Sequence, residues 1–129
     1  MGGGELREVV PVFSFQATLD RVTAAIAQAG PVVINRIDHH VSAQEEGLAM
    51  PPSTVLTYGH AKSGTPIMLA APCAALELPL RLFVRARAEG ETIIAFHPIA
   101  AVLRRSGVSA TLAERLEPAQ QLLVKAVTP

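Results

Sequence analysis

The chain has 129 residues, 50% of them hydrophobic and 17% charged, with eleven basic residues against eleven acidic ones. That balance excludes a disordered chain. It also leaves no global field to draw in nucleic acid or an anionic membrane surface, so neither is expected as a partner. No apolar run approaches the ~18 residues of a membrane span, and the single cysteine, Cys73, cannot form an internal disulfide; both fit a cytoplasmic location.

The length corresponds to one domain, residues 1–129. Its first six residues, rich in glycine, read as a flexible lead-in without the apolar stretch of a secretory signal. Aromatics make up 4% of the chain and Trp is absent, so Leu, Val, Ile and Ala must build the core. The apolar fraction exceeds what one small core holds, which favours a homodimer.

In chain order, "REVVPVFSF" is a β-rich run, and Pro11 places it at a sheet edge. "TLDRVTAAIAQAG" predicts a helix capped by Thr18, with Leu19, Val22, Ile26 and Ala29 on one face and Gly30-Pro31 as the stop. "VVINRIDHHV" reads as the second strand, and "SAQEEGL" as one helical turn closed by Gly47. Pro51-Pro52 then forces an extended approach to a third strand, "STVLTYGH".

"SGTPIMLAAP" predicts a short helix with Thr65 as cap, Pro66 at the first helical position and Pro72 at the end. "LELPLRLFVRARAEGETIIAFH" reads as a long hairpin. Leu78, Leu80, Leu82, Val84 and Ala86 alternate with Pro79, Arg81, Phe83, Arg85 and Arg87, and the turn falls at 88–91. The tail is helical, with Thr111 and Glu114 in a capping-box pattern and a kink or restart at Pro118. The sum is an α+β fold: a mostly antiparallel sheet with helices on one face, in the order β-α-β-β-(short α)-β-β-α.

"RIDHHVSAQEEGL", "STVLTYGHAKSGTPIM" and "ALELPLRLFV" together resemble the domain-of-unknown-function 302 family, from about Phe15 to the C-terminal helix. That family carries an I-D-H-x(3)-A segment, a strand ending in F-G-N-P-K, a G-T-P-L-M helix start and a D-L-P-L-K/R strand. The resemblance implies a small bacterial or archaeal domain with a TATA-binding-protein-like fold, a homodimer and no established activity. Tyr58-Gly59-His60-Ala61 departs from F-G-N-P, and Glu77 from the family's Asp.

Four polar groupings merit a test. Asp38, His39 and His40 come first. On a strand, adjacent histidines point to opposite faces and cannot chelate one metal, so no metal is expected. The bland reading makes His39 a partly buried hydrogen-bonder and His40 the more exposed and replaceable ring. The functional reading makes Asp38 and His39 ligand-binding, with His39 a candidate for acid–base catalysis. The second grouping is the turn around Lys62, Gly64 and Thr65, with His60 beside it. Free N–H groups at a helix start would suit a small anion there, although an ordinary capped turn is the plainer reading.

The third is Arg81, Arg85 and Arg87 with Phe83. These suit ion pairs with Glu77, Glu89 or Glu91 at a dimer contact better than single-stranded nucleic acid. The fourth is Cys73, whose setting after a helix end among alanines makes it a small core residue. Neither a nucleophile elbow nor a phosphate-binding loop is present, and no cofactor is expected. The reading that follows is a homodimer binding a small polar or anionic ligand between Asp38/His39 and the Lys62–Thr65 turn, with a ligand-free structural or interaction domain as the alternative.

Overall fold

The computed structural model describes residues 5–30 and 32–129, with backbone only for 32–34. Residues 1–4 of the expected lead-in lie outside this range, and Glu5 and Leu6 are exposed. Strands β1 (Arg7–Val9), β2 (Val32–Asp38), β3 (Ser53–Gly59), β4 (Leu80–Ala86) and β5 (Thr92–Phe96) form one sheet in the order β1-β5-β4-β3-β2. Every neighbouring pair is antiparallel. The chain is thus α+β, as the pattern of elements predicts, and β1 is an edge strand.

The inner face of the sheet is built by the alternation in β4. Leu80, Leu82 and Val84 are buried, and the register sets them against Tyr58, Leu56 and Thr54 of β3. Helix α1 (Phe15–Ala29) lays Leu19, Val22 and Ile26 onto the same core, and α6 (Glu117–Val127) adds Leu123 and Val127. Each such side chain, fully buried, contributes about 1.5–3 kcal/mol of transfer free energy.

Several helix boundaries differ from expectation, each for a local reason. Ser14, not Thr18, caps α1: its hydroxyl accepts the Ala17 N–H, and Thr18 is buried in the first turn. Ala29 is exposed rather than part of the buried face, and Gly30 closes the helix at φ +95°. In the tail, α4 (Ile99–Arg105) and α5 (Ala110–Ala113) precede a 3-10 turn at Glu114–Leu116 and then α6. Ser109 caps α5 in place of Thr111. The restart at Pro118 does occur, with the proline in the first turn of α6, where its missing N–H has no intrahelical partner to lose.

The short helix before β4 is α3 (Ala61–Ala70), followed by a 3-10 helix at Pro72–Glu77. Cys73 is exposed on that 3-10 helix and Ala74 takes the core position, so the cysteine is not the core residue expected of it.

Candidate functional site

The Asp38-His39-His40 segment is not strand throughout. β2 ends at Asp38, whose carboxylate accepts the backbone N–H of Val41 at 3.0 Å and starts α2 (His39–Glu45). An N-cap carboxylate of this kind satisfies one of the free donors of a first turn. The two histidines therefore follow a helical path, and their expected exposures are reversed. His39 is exposed, whereas His40 is half-buried with Nδ1 donating to the Met50 carbonyl.

At the Lys62–Thr65 segment the helix begins four residues before the expected Thr65 cap. His60 is the N-cap of α3, and its Nδ1 accepts the Lys62 N–H at 3.1 Å. The N–H groups of Ser63 and Gly64 both donate to the His60 carbonyl at 3.0 Å. Three of the backbone donors at this helix start, those of Lys62, Ser63 and Gly64, are thus taken by His60. Lys62 and Thr65 are exposed and Gly64 is half-buried inside α3, so this is a capped helix start and not the anion-binding turn that the sequence suggested.

Nor does the fold bring the two halves of the expected site together. β2 and β3 pair with Asp38 opposite Thr54 and Val32 opposite Gly59. Asp38/His39 and His60/Lys62 thus lie at opposite ends of the strand pair, about 17 Å apart at roughly 3.4 Å per residue. A single small ligand cannot touch both.

The outer face of the sheet, opposite α1, carries a different constellation. A concavity of about 740 Å³ opens there. Its floor is Val55, Phe83 and Ala95, which the register sets side by side across β3, β4 and β5. Arg81 and Arg85 flank Phe83 along β4, and β1 contributes Glu8. The 3-10 helix supplies Glu77; His97, Val102, Arg105 and Ser106 form the wall at the α4 end.

Two ion pairs bear on this face. Arg85 meets Glu8 at 3.7 Å, and Arg87, just past β4, meets Glu91 at 3.1 Å. Among the described residues neither Arg81 nor Arg105 has a carboxylate within 4.0 Å.

Besides the buried Ile99, Ala100 and Leu103 of α4, one buried amide ties the wall. Gln120 of α6 is 5% exposed; its Oε1 accepts the Ile99 N–H at 3.0 Å and its Nε2 donates to the His97 carbonyl at 2.9 Å. This side chain caps α4, which has no cap of its own because Pro98 precedes it. The alternation in β4 makes Arg81, Phe83 and Arg85 visible in the sequence. His97 directly follows β5, and Arg105 joins through the docking of α4, which buries Ile99, Ala100 and Leu103 in the core and is tied by Gln120; no local pattern reports that docking.

A smaller hollow of about 250 Å³ lies beside Gly59, His60, Met68 and Leu78, next to the cis peptide bond between Leu78 and Pro79. Its lining is mostly apolar. Among the described residues no three His, Cys, Asp or Glu side chains gather as a metal site would require, and no helix is long and apolar enough to cross a membrane.

A family model described as "Domain of unknown function DUF302" matches residues 8–128. Two curated relatives, both called fluoride-specific ion channel FluC 1, come from Brucella suis and Brucella abortus. Each is 35% identical over 68 residues, which is 53% of this chain and 27% or 25% of the relative. The chain's match thus spans about a quarter of the length of these curated relatives. Among solved structures, the crystal structure of an uncharacterized conserved protein DUF302 from Bacillus stearothermophilus superposes with a TM-score of 0.85. Its identity is 17%, over 95% of this chain and 97% of that one, a likeness of fold.

Proposed function

The chain belongs to the DUF302 family, a domain of unknown function, and from that premise we propose that it binds a small organic anion in the groove on the outer face of its sheet. The observation that carries this reading is the pair Arg81 and Arg105. Both border an apolar floor, and among the described residues both lack a carboxylate partner. A guanidinium beside apolar surface recognises carboxylate or phosphate through paired N–H donors, and displaced water strengthens that contact. The site expected from Asp38, His39 and the Lys62–Thr65 turn gives way to this one because its halves lie at opposite ends of the β2–β3 pair.

Acid–base catalysis at His39 has no support in its surroundings: the ring is exposed and does not line the groove. The channel activity in the names of the Brucella relatives stays with those proteins, since this chain matches only about a quarter of each. The test is calorimetric titration of a panel of small carboxylates and phosphates into the wild-type chain and an Arg81→Gln/Arg105→Gln variant. Binding that the double substitution abolishes supports the reading. If no anion binds, or if the variant binds as well as the wild type, what remains is a structural or interaction domain without a ligand.

A second proposal concerns self-association. None of the seven residues of α2 is buried, and a helix far shorter than about 12–15 residues gains little stability on its own. Around it Ile37 is 39% exposed, Val41 45% and Leu48 66%. A second copy packed over these three side chains would cover the helix and form a homodimer that adjoins the groove without filling it.

A further inference from the structure

The groove is not uniform along its length, and its asymmetry bears on the chemistry of what it holds. At the β1 side Arg85 is already met by Glu8 at 3.7 Å. At the α4 end Arg81 and Arg105 stand with His97, Ser106 and the carboxylate of Glu77. Between the two ends lie Val55, Phe83 and Ala95, in register on adjacent strands. Strands lie about 4.8 Å apart, so this strip is roughly 10 Å wide, the width of a fused two-ring system. Around the whole groove three guanidiniums face two carboxylates, which leaves one positive charge among these five groups.

We propose that the ligand is an amphipathic monoanion: a flat aromatic or hydrocarbon body over Phe83, with one carboxylate or phosphate monoester held between Arg81 and Arg105. This rests on the groove being an anion site and adds which anion it takes. The apolar strip repels a bare inorganic ion, because stripping water from an anion over hydrocarbon is unfavourable unless cationic donors replace it. The Glu8–Arg85 pair disfavours a second negative group at the far end. A small charged sugar or a dicarboxylate therefore fits less well than a single acid carried on an apolar ring.

Four probes read this in calorimetric titrations of the full chain: inorganic phosphate, 2-naphthoate, the neutral 2-naphthamide and 2,6-naphthalenedicarboxylate. 2-Naphthoate should bind at least about tenfold more tightly than any of the other three, a difference of about 1.4 kcal/mol each. Arg81→Gln should weaken 2-naphthoate by about tenfold or more and leave 2-naphthamide unchanged, as loss of one charge-assisted contact requires. Phe83→Leu, which keeps the core side of β4 untouched, should weaken both naphthalene probes and leave phosphate as it was. Arg105→Gln, on an exposed helix position, gives a second charge variant should Arg81→Gln disturb the sheet.

Phosphate binding as tightly as 2-naphthoate, with no effect of Phe83→Leu, would leave an anion site standing and overturn the amphipathic ligand. Tighter binding of the dicarboxylate would overturn the single charge. No binding by any of the three anionic probes would remove the anion site itself along with this inference.

Discussion

The Nδ1 proton of His40 goes to the carbonyl oxygen of Met50, ten residues further along the chain. A carbonyl can only accept, so the bond fixes which ring nitrogen carries the proton. It also ties α2, none of whose residues is fully buried, to the segment that leads into β3. His40→Ala should therefore lower stability by about 1–2 kcal/mol. His39→Ala, at an exposed position, should change it by no more than about 0.5 kcal/mol. Urea denaturation of the two variants checks this, and equal losses would contradict the arrangement.

Gln120 serves two backbone groups at once, the Ile99 N–H and the His97 carbonyl. Gln120→Leu keeps the bulk but leaves both groups without their partner, and should cost about 2–3 kcal/mol. Gln120→Glu keeps an acceptor for Ile99 and loses the donor to His97, at the added expense of burying a charge. If Gln120→Leu melted within a degree or so of the wild type, α4 would have to be held by something else.

Burial drives the Tyr58 phenol well above its ordinary value of 10.0. The sign follows from linkage: the folded chain keeps the proton where the unfolded chain has lost it. The contribution to stability is thus complete below pH 10 and declines as pH rises above it, at up to about 1.4 kcal/mol per pH unit. Tyr58→Phe should remove this part of the alkaline loss. Chemical denaturation at pH 8 and pH 11 measures it; identical pH dependence in wild type and variant would show that the phenol is not what titrates.

Light scattering at micromolar concentration should return twice the 13.6 kDa chain mass. Val41→Asp sets a charge on the exposed apolar side of α2 and should give the monomer, with a melting temperature below that of the wild type and no longer dependent on protein concentration. A wild-type monomer would end the proposal of self-association.

What the sequence discloses depends on how far each signal reaches. The period-two alternation of β4 is carried by its own residues, so Leu80, Leu82 and Val84 are assigned to the core and Arg81 and Phe83 to the other face without any tertiary knowledge. The end of β2 is different. "VVINRIDHHV" is apolar at both ends, and only the hydrogen bond from the Val41 N–H to Asp38 decides that the strand stops at the acid. At α3 the pair Thr65-Pro66 has the form of a helix start, yet His60, an unusual cap, begins the helix earlier and Pro66 lies inside it. Asp38, His39, His60 and Lys62 therefore sit at two helix starts, at opposite ends of the β2–β3 pair. The groove draws on β1, β4, β5 and α4 together, and no single stretch of sequence contains it.

The strand order β1-β5-β4-β3-β2 has a consequence for how the sheet comes into being. Strands β2 to β5 each pair with their neighbour in sequence, so four of the five can come together through connections far shorter than the one β1 must close. β1 cannot. It must wait for β5, and pairing Arg7 with Phe96 closes a loop of about ninety residues, which carries a larger entropic penalty than any other pairing in the sheet. β1, the earliest of these five strands in the sequence, is then the last to dock and the first to let go. In kinetic terms Val9→Ala should speed unfolding while leaving the folding rate nearly unchanged, the signature of a contact made after the barrier is crossed. An equal slowing of folding would put β1 in the nucleus instead.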